Sequence, residues 1–375
     1  VIEAVPFSDL GAITREVRGE VDRAWQCLLE TSGFIGGEAV EAFERSWAEY
    51  CGAAYAVGVA NGTDAIQLTL TALGIGPGDE VIVPANTFVA SAEAIVLAGA
   101  TPRFADVDPR TLLLTAEALE AAITGRTAAV LVVDLYGQMP DVDALGRAAA
   151  KAGLAFIEDA AQAHGATWHG LPAGSVGQAG CFSFYPSKNL GAFGDAGAVV
   201  TSDAQLAARL KSLRDHGRAE GSHHRHELAG TNSRLDALQA MTLTAKLPRL
   251  DAWTRARRAV AAQYRSAFAG SPVLLVEEAE LAYAVYHLAV IRVPDRYRVR
   301  QYLSSMGIQT GIHYPTPCHH HPPFRGLATT PLPVVDRAAD EVLSLPMFPH
   351  MSDIQVERVC EAVLQSCGAM RSRLA

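Results

Sequence analysis

Over the first two hundred residues, short apolar runs alternate with longer stretches of helical period. The runs at 55–59, 80–83, 101–105, 128–133, 154–157, 180–184 and 197–201 are strand-sized, and most are apolar throughout rather than at every second position. Unbroken apolar runs of this length predict strands buried on both faces. Between several of them, 63–73, 88–98, 115–122 and 141–151 repeat apolar residues three and four apart and predict helices. Gly76, Gly78, Pro84 and Gly153 fall where elements should break. Alternating β and α of this kind predicts an α/β domain around a mixed, mostly parallel sheet.

From Ser233 the pattern changes. Residues 233–268 read as a long helical stretch broken at Pro248 and rich in arginine at 255, 257 and 258. Beyond Gly270 the reading is α+β: a strand at 286–293, a helix at 296–306 and a final helix at 354–365. The expected division is a large α/β domain over 1–249 and a smaller α+β domain over 250–375. Residues 1–35 are expected to pack on the small domain or on a partner.

Composition narrows the class. The 375 residues carry 31 Lys plus Arg against 40 Asp plus Glu, a net charge of −9, with 49% apolar and 19% charged residues. This is too apolar for a disordered chain, and the length allows two or three domains of roughly 100–200 residues. A net negative charge argues against a bulk nucleic-acid binder, which needs a positive field, but leaves room for a small cationic pocket. The six cysteines at 27, 51, 181, 318, 360 and 367 form no CxxC pair, and are expected to be reduced in a cytoplasmic protein. Val1 to Leu10 has no basic region followed by an apolar run, so it does not read as a signal peptide. No apolar stretch reaches the roughly 18 residues of a membrane span.

Three stretches carry chemistry. Lys188 sits among small, apolar and aromatic residues in 183–192; a desolvated lysine has a lowered pKa and attacks carbonyls, although most lysines are simply surface residues. Glu158 and Asp159 stand just past a predicted buried strand. Ligands of open α/β sheets bind there, and an acid can pair with a protonated ring nitrogen; the plain alternative is a helix N-cap. The turn at 59–63 leads from strand through Gly62 into a helix, and its free N–H groups and dipole make an anion site of low specificity.

Asn61 to Ala65, Pro84 to Ser91, Ile157 to Gly165, Ser183 to Ala192 and Asn232 to Asp236 together resemble the DegT/DnrJ/EryC1/StrS sugar aminotransferases of the aspartate-aminotransferase fold, fold type I of the enzymes that use pyridoxal 5'-phosphate (PLP). The resemblance runs from about Phe7 to the C-terminus. It implies that Lys188 holds PLP and moves the proton, and that Asp159 keeps the ring nitrogen protonated. Gln162 would lie near the ring hydroxyl and Phe88 on the ring face. Gly62, Thr63 and Ser183 would bind the phosphate. Asn232 would reach the phosphate of a neighbouring subunit, so a homodimer with active sites at the interface is implied.

Some relatives have histidine in place of the lysine and dehydrate sugars; retention of Lys188 makes transamination the expected activity. The substrate reading rests on 310–322, which resembles members that aminate C3 of dTDP-3-keto-6-deoxyhexoses for antibiotic and surface amino-sugars, departing at Cys318 and at the triple histidine 319–321. Tyr185, Arg218, His313, Tyr314 and His319 are the substrate candidates, Arg218 for a diphosphate, since a guanidinium fork suits phosphate oxygens. Glutamate is the expected donor. The alternatives are amination at C4 of a 4-keto sugar and a non-catalytic PLP-binding sensor, for which Tyr185, His313 and Tyr314 would have no use. The histidine runs at 223–226 and 319–321 lack HExxH, paired Cys/His spacing and a nearby carboxylate triad, so no catalytic metal is expected and only adventitious metal binding is left open. The glycines at 191, 194 and 197 have GxxGxxG spacing rather than the GxGxxG of a nicotinamide site.

Overall fold

A computed structural model describes residues 4–374, with side chains to 368. Strands β1 (Tyr55–Val59), β2 (Glu80–Pro84), β3 (Thr101–Ala105), β4 (Thr127–Val133) and β5 (Ala155–Asp159) are followed by the short hairpin β6 (Thr167–Trp168) and β7 (Leu171–Pro172), then β8 (Ala179–Ser183) and β9 (Gly197–Thr201). Seven of these form one sheet in the order β1-β9-β8-β5-β4-β2-β3. Only β9 runs against the rest. The expected mixed, mostly parallel sheet is therefore present, and helices cover both faces with two separate apolar cores. Packing alternates strictly along β4: Leu131 and Val133 enter one core, Val130 and Val132 the other.

Local chemistry fixes the helix starts that matter here. Asn61 accepts the Asp64 N–H at 2.8 Å and caps the helix Gly62–Ala72. Asp141 caps Val142–Ala152, which ends on Gly153 in the left-handed region (φ 69°), the conformation glycine takes without strain. The chain then enters β5, which runs to Asp159 rather than stopping at 157, so this acid ends the strand. Register places Val133 beside Asp159 and Asp159 beside Cys181. The carboxyl ends of β4, β5 and β8 thus open on one edge of the sheet, where this fold class binds ligands.

Further along, Pro248 breaks the helical stretch as expected, into Ala237–Lys246 and Leu250–Phe268 joined by the 3-10 turn Leu247–Arg249. The strand expected over 286–293 is shorter, Ala289–Arg292, because Tyr286 is left-handed (φ 44°) and cannot extend it. This strand is β12 in the order β10 (Leu274–Leu275), β11 (Ala282–Tyr283), β12 and β13 (Val342–Leu345); β10, β12 and β13 make a second sheet. Helices Glu38–Tyr50, Ala204–Leu213 and Pro333–Glu341 were not legible as such in the pattern. The first helix, Leu10–Thr31, packs Ile13, Val17 and Val21 on Trp253, and Glu20 pairs with Arg249 at 2.6 Å. Val5 donates to the Gly307 carbonyl at 2.9 Å. Among the described residues no helix is long and apolar enough to cross a membrane.

Candidate active site

Asp159 is fully enclosed at the end of β5. Ser91 donates its hydroxyl to Asp159 Oδ2 at 2.6 Å, and the Ala161 N–H reaches Oδ1 at 3.2 Å. Ser91 is itself paired with the Thr87 hydroxyl at 2.8 Å. Burial raises the pKa of this carboxyl, while Ser91, Ala161 and the Lys188 ammonium oppose the shift. A buried acid arranged this way calls for a cation against it.

Lys188 follows β8 on a turn closed by its own N–H to the Tyr185 carbonyl at 2.8 Å. Desolvation brings its pKa down to about 8, with Asp159 holding it up against that trend. A substantial neutral fraction at physiological pH is what a carbonyl-attacking lysine needs. Its charge is felt by His313, which burial and Lys188 together lower to about 4, and by His164, which they lower to about 3. His164 Nε2 lies 2.9 Å from the Ser183 carbonyl, so the neutral ring donates from that nitrogen.

At the third corner, Gly62 opens its helix against Ser183: a Cβ on Gly62 would lie 2.7 Å from the Ser183 Cβ. Glycine is therefore required for the helix to approach this closely. The Gly62 and Thr63 N–H groups belong to the first turn, which has no intrahelical partners for them, and they face the anion-favouring end of the dipole.

The substrate stretch is wired to the same strand ends. Gln162 accepts the Tyr136 N–H at 2.7 Å and donates to the Tyr314 hydroxyl at 3.1 Å. Tyr136 in turn donates its hydroxyl to the His313 carbonyl at 2.6 Å. His313 Nδ1 meets Ser344 Oγ at 2.8 Å, and its ring stacks on Phe7 with centroids 5.8 Å apart. Phe88 is 51% exposed, with its ring 5.7 Å from that of Tyr314. Tyr185 is 54% exposed.

The fold therefore brings Lys188, Asp159, Gln162, Phe88, Tyr314 and His313 together, with Gly62, Thr63 and Ser183 at one side. Arg218 and Asn232 lie apart, on the 214–234 loop. Arg218 pairs with Asp215 at 3.1 Å and its Nε is buried without a partner; Asn232 is exposed and its backbone pairs with that of Asp215. His319 does not join the group. Its ring turns inward against Phe104 and Asp336, because the neighbouring Cys318 is fixed by its N–H to the Ala85 carbonyl at 3.1 Å.

Three residues had no role assigned from the sequence. Ser91 and Tyr136 hold first contacts in place, and Tyr136 does so from a left-handed backbone (φ 63°), a strained conformation for a bulky residue that often marks a functional site. Asp134, one residue past β4, is fully buried with both carboxylate oxygens unpartnered. Burial, Glu158 and Asp159 all raise its pKa. The position of 134–136 beyond a strand end was the one signal available for them.

These residues fit PLP: an enclosed acid for a ring nitrogen, a desolvated lysine, an aromatic face and a helix N-terminus crowded by a serine. Fold and site define a PLP-dependent transferase of the aspartate-aminotransferase kind. The chain belongs to the DegT/DnrJ/EryC1/StrS aminotransferase family, whose profile matches residues 16–364. It is 46% identical over 364 residues to dTDP-3-amino-3,4,6-trideoxy-alpha-D-glucose transaminase of Streptomyces venezuelae, covering 96% of this chain and 95% of the relative. Identity is 44% over 360 residues to UDP-N-acetyl-3-dehydro-alpha-D-glucosamine 3-aminotransferase of Acidithiobacillus ferrooxidans, covering 96% and 97%. The crystal structure of S. venezuelae DesV in complex with a ketimine intermediate superposes with a TM-score of 0.94 at 45% identity, covering 96% of this chain and 98% of that one.

Proposed function

We propose that this aminotransferase moves an amino group from L-glutamate to C3 of a dTDP-linked 3-keto-6-deoxyhexose, in amino-deoxysugar biosynthesis. The observation that carries the reading is the wiring of His313 and Tyr314 to Gln162 and Tyr136, at the strand ends that hold Asp159. The names of both relatives place their chemistry at position 3 of a nucleotide-linked sugar, although the nucleotide differs.

PLP, when bound, supplies an electron sink at the carbon that loses or gains the amine. Lys188, whose pKa burial brings down to about 8, would hold it and would carry the proton to and from that carbon. Asp159 would keep the proton on the ring nitrogen; burial raises its pKa, and the Ser91 hydroxyl and Ala161 N–H favour its ionised form against that trend. Gln162 would lie by the ring hydroxyl, and Phe88 would cover the ring face. Gly62, Thr63 and Ser183 would take the phosphate, joined by Asn232 from a second copy of the chain in a homodimer with active sites at the interface. Tyr185, His313 and Tyr314 line the sugar. The Arg218 guanidinium, partly exposed beside Asp215, suits the diphosphate. The large domain comprises 1–249 and the small domain 250–375. Free cysteines, most of them buried, fit a protein of the cytoplasm.

The test is the visible absorbance of the PLP-loaded protein. Glutamate should bleach the band, and a dTDP-3-keto-6-deoxyhexose should restore it. Restoration by a UDP-linked 3-keto sugar alone would move the nucleotide; restoration by 4-keto sugars alone would move the amination to C4. Absence of a visible band would remove Lys188 from its role.

A further inference from the structure

The end of the 310–322 stretch and the helix Pro333–Glu341 bring together a group of donors to which the proposed amino transfer gives no role. His319 and His320 sit on the 3-10 turn Cys318–His320, and Asp336 on the first turn of Pro333–Glu341. The Nε2 atoms of His319 and His320 approach the same oxygen, Asp336 Oδ1, at 3.1 and 2.8 Å. Their rings are 3.9 Å apart between centroids, and all three donor atoms lie within 4.8 Å of one another. Bonds of about 2.0–2.1 Å in a tetrahedral site put ligand atoms about 3.3 Å apart. The two nitrogen–oxygen separations are already close to that edge.

Chemistry and access agree with the spacing. His319 is buried against Phe104, and its Nε2 is held on the Asp336 side of the ring, towards the shared oxygen. His320 and Asp336 are about half exposed, which leaves a path from solvent and an open fourth position. Other nearby donors are engaged: the Cys318 thiol turns to the Thr87 carbonyl at 3.4 Å, and the two Asp106 carboxylate oxygens take the Val334 and Val335 N–H groups at 3.1 and 3.0 Å. Two imidazoles and a carboxylate select a borderline transition-metal ion over magnesium or calcium, which prefer all-oxygen shells.

We propose that His319, His320 and Asp336 bind one zinc-class divalent ion, with solvent in the fourth position, clamping the loop that bears His313 and Tyr314 to the helix Pro333–Glu341. The run 319–321 shows no carboxylate partner in sequence because Asp336 is 16 residues from His320 and arrives only through the fold.

PLP-loaded protein made without a polyhistidine tag, stripped with a chelator, is titrated calorimetrically with zinc, and with magnesium as control. One zinc per subunit is expected, with a rise in melting temperature that magnesium does not produce. His320→Ala and Asp336→Ala should each weaken zinc binding about tenfold or more, since even outer-shell changes cost that much. Both side chains are half exposed, and an unchanged PLP band reports that each variant is folded; should Asp336→Ala fail to fold, His320→Ala carries the test alone. Absence of zinc binding, a site that survives both substitutions, or a site lost in His226→Ala would overturn the proposal; the last would assign the metal to the exposed 223–226 run.

Discussion

At the Asp159 end of the active site, polar side chains answer to other parts of the same chain. Ser91 holds Asp159, Thr87 holds Ser91, and Gln162 spans Tyr136 and Tyr314. At the opposite end the same chain leaves its groups open. Asn232 is exposed, and Phe34 and Ile35 are 43% and 55% exposed. Ile35, Arg218, Arg234 and Leu235 line a cavity of about 270 Å³ there. The enclosed end is finished within one subunit. The open end combines exposed apolar side chains with Arg218 and Arg234, both paired with Asp215, and it is the end at which the proposed second copy would dock.

The largest effect should come from the enclosed end. If Lys188 is the proposed anchor and proton carrier, Lys188→Ala should lower turnover with glutamate and the keto sugar by at least about 10⁴-fold. Circular dichroism should stay unchanged. Appreciable turnover by this variant would make the enclosed end something other than the reaction centre.

The open end is tested by mixing subunits. Asn232→Ala should lose most activity by weakening phosphate binding. Co-refolding it with Lys188→Ala should restore roughly a quarter of the wild-type rate, because half the dimers are mixed and each has one complete site. No restoration would place Asn232 in its own subunit's site and dissolve the contrast between the two ends.

Within the enclosed end the contacts can be graded. Ser91→Ala removes a hydrogen bond to a charged group, worth about 1.5–3 kcal/mol, so PLP should bind roughly 10- to 100-fold more weakly by spectroscopic titration. Tyr136→Phe removes the neutral bond to the His313 carbonyl, worth about 1 kcal/mol, and should raise KM for the sugar roughly fivefold with little change in PLP affinity. Equal effects on sugar and PLP would mean that the 313–314 loop is not a separate substrate element.

The same contrast shows what the sequence could reveal. Lys188 and Asp159 were legible because each sits in a local string whose residue types already express its chemistry. Ser91 was not, because its partner is 68 residues away and the two meet only when β2 and β5 flank β4. Tyr136 depends on β4 and β5 lying side by side, and on a left-handed backbone that no pattern of apolar residues encodes. His319 read as a substrate residue because its string matched, yet the turn around Cys318 rotates it to Asp336. Periodicity reports which face is buried, not which side chains meet there.

Asp134 is the sharpest probe of how enclosed this end is. Its folded pKa is raised by burial first and then by Glu158, itself raised to about 7, and Asp159. Below the unfolded pKa of about 3.9 the acid is protonated in both states and carries no penalty. As pH rises from there towards the folded pKa, only the unfolded chain loses the proton, and stability falls by up to about 1.4 kcal/mol per pH unit. Asp134→Asn keeps the shape and removes that titration. Its melting temperature relative to wild type should therefore climb from pH 4 to pH 8, while turnover stays within about twofold, the smallest effect on activity among these variants. A pH-independent difference would show that water reaches Asp134, and that the enclosed end is as open as the other.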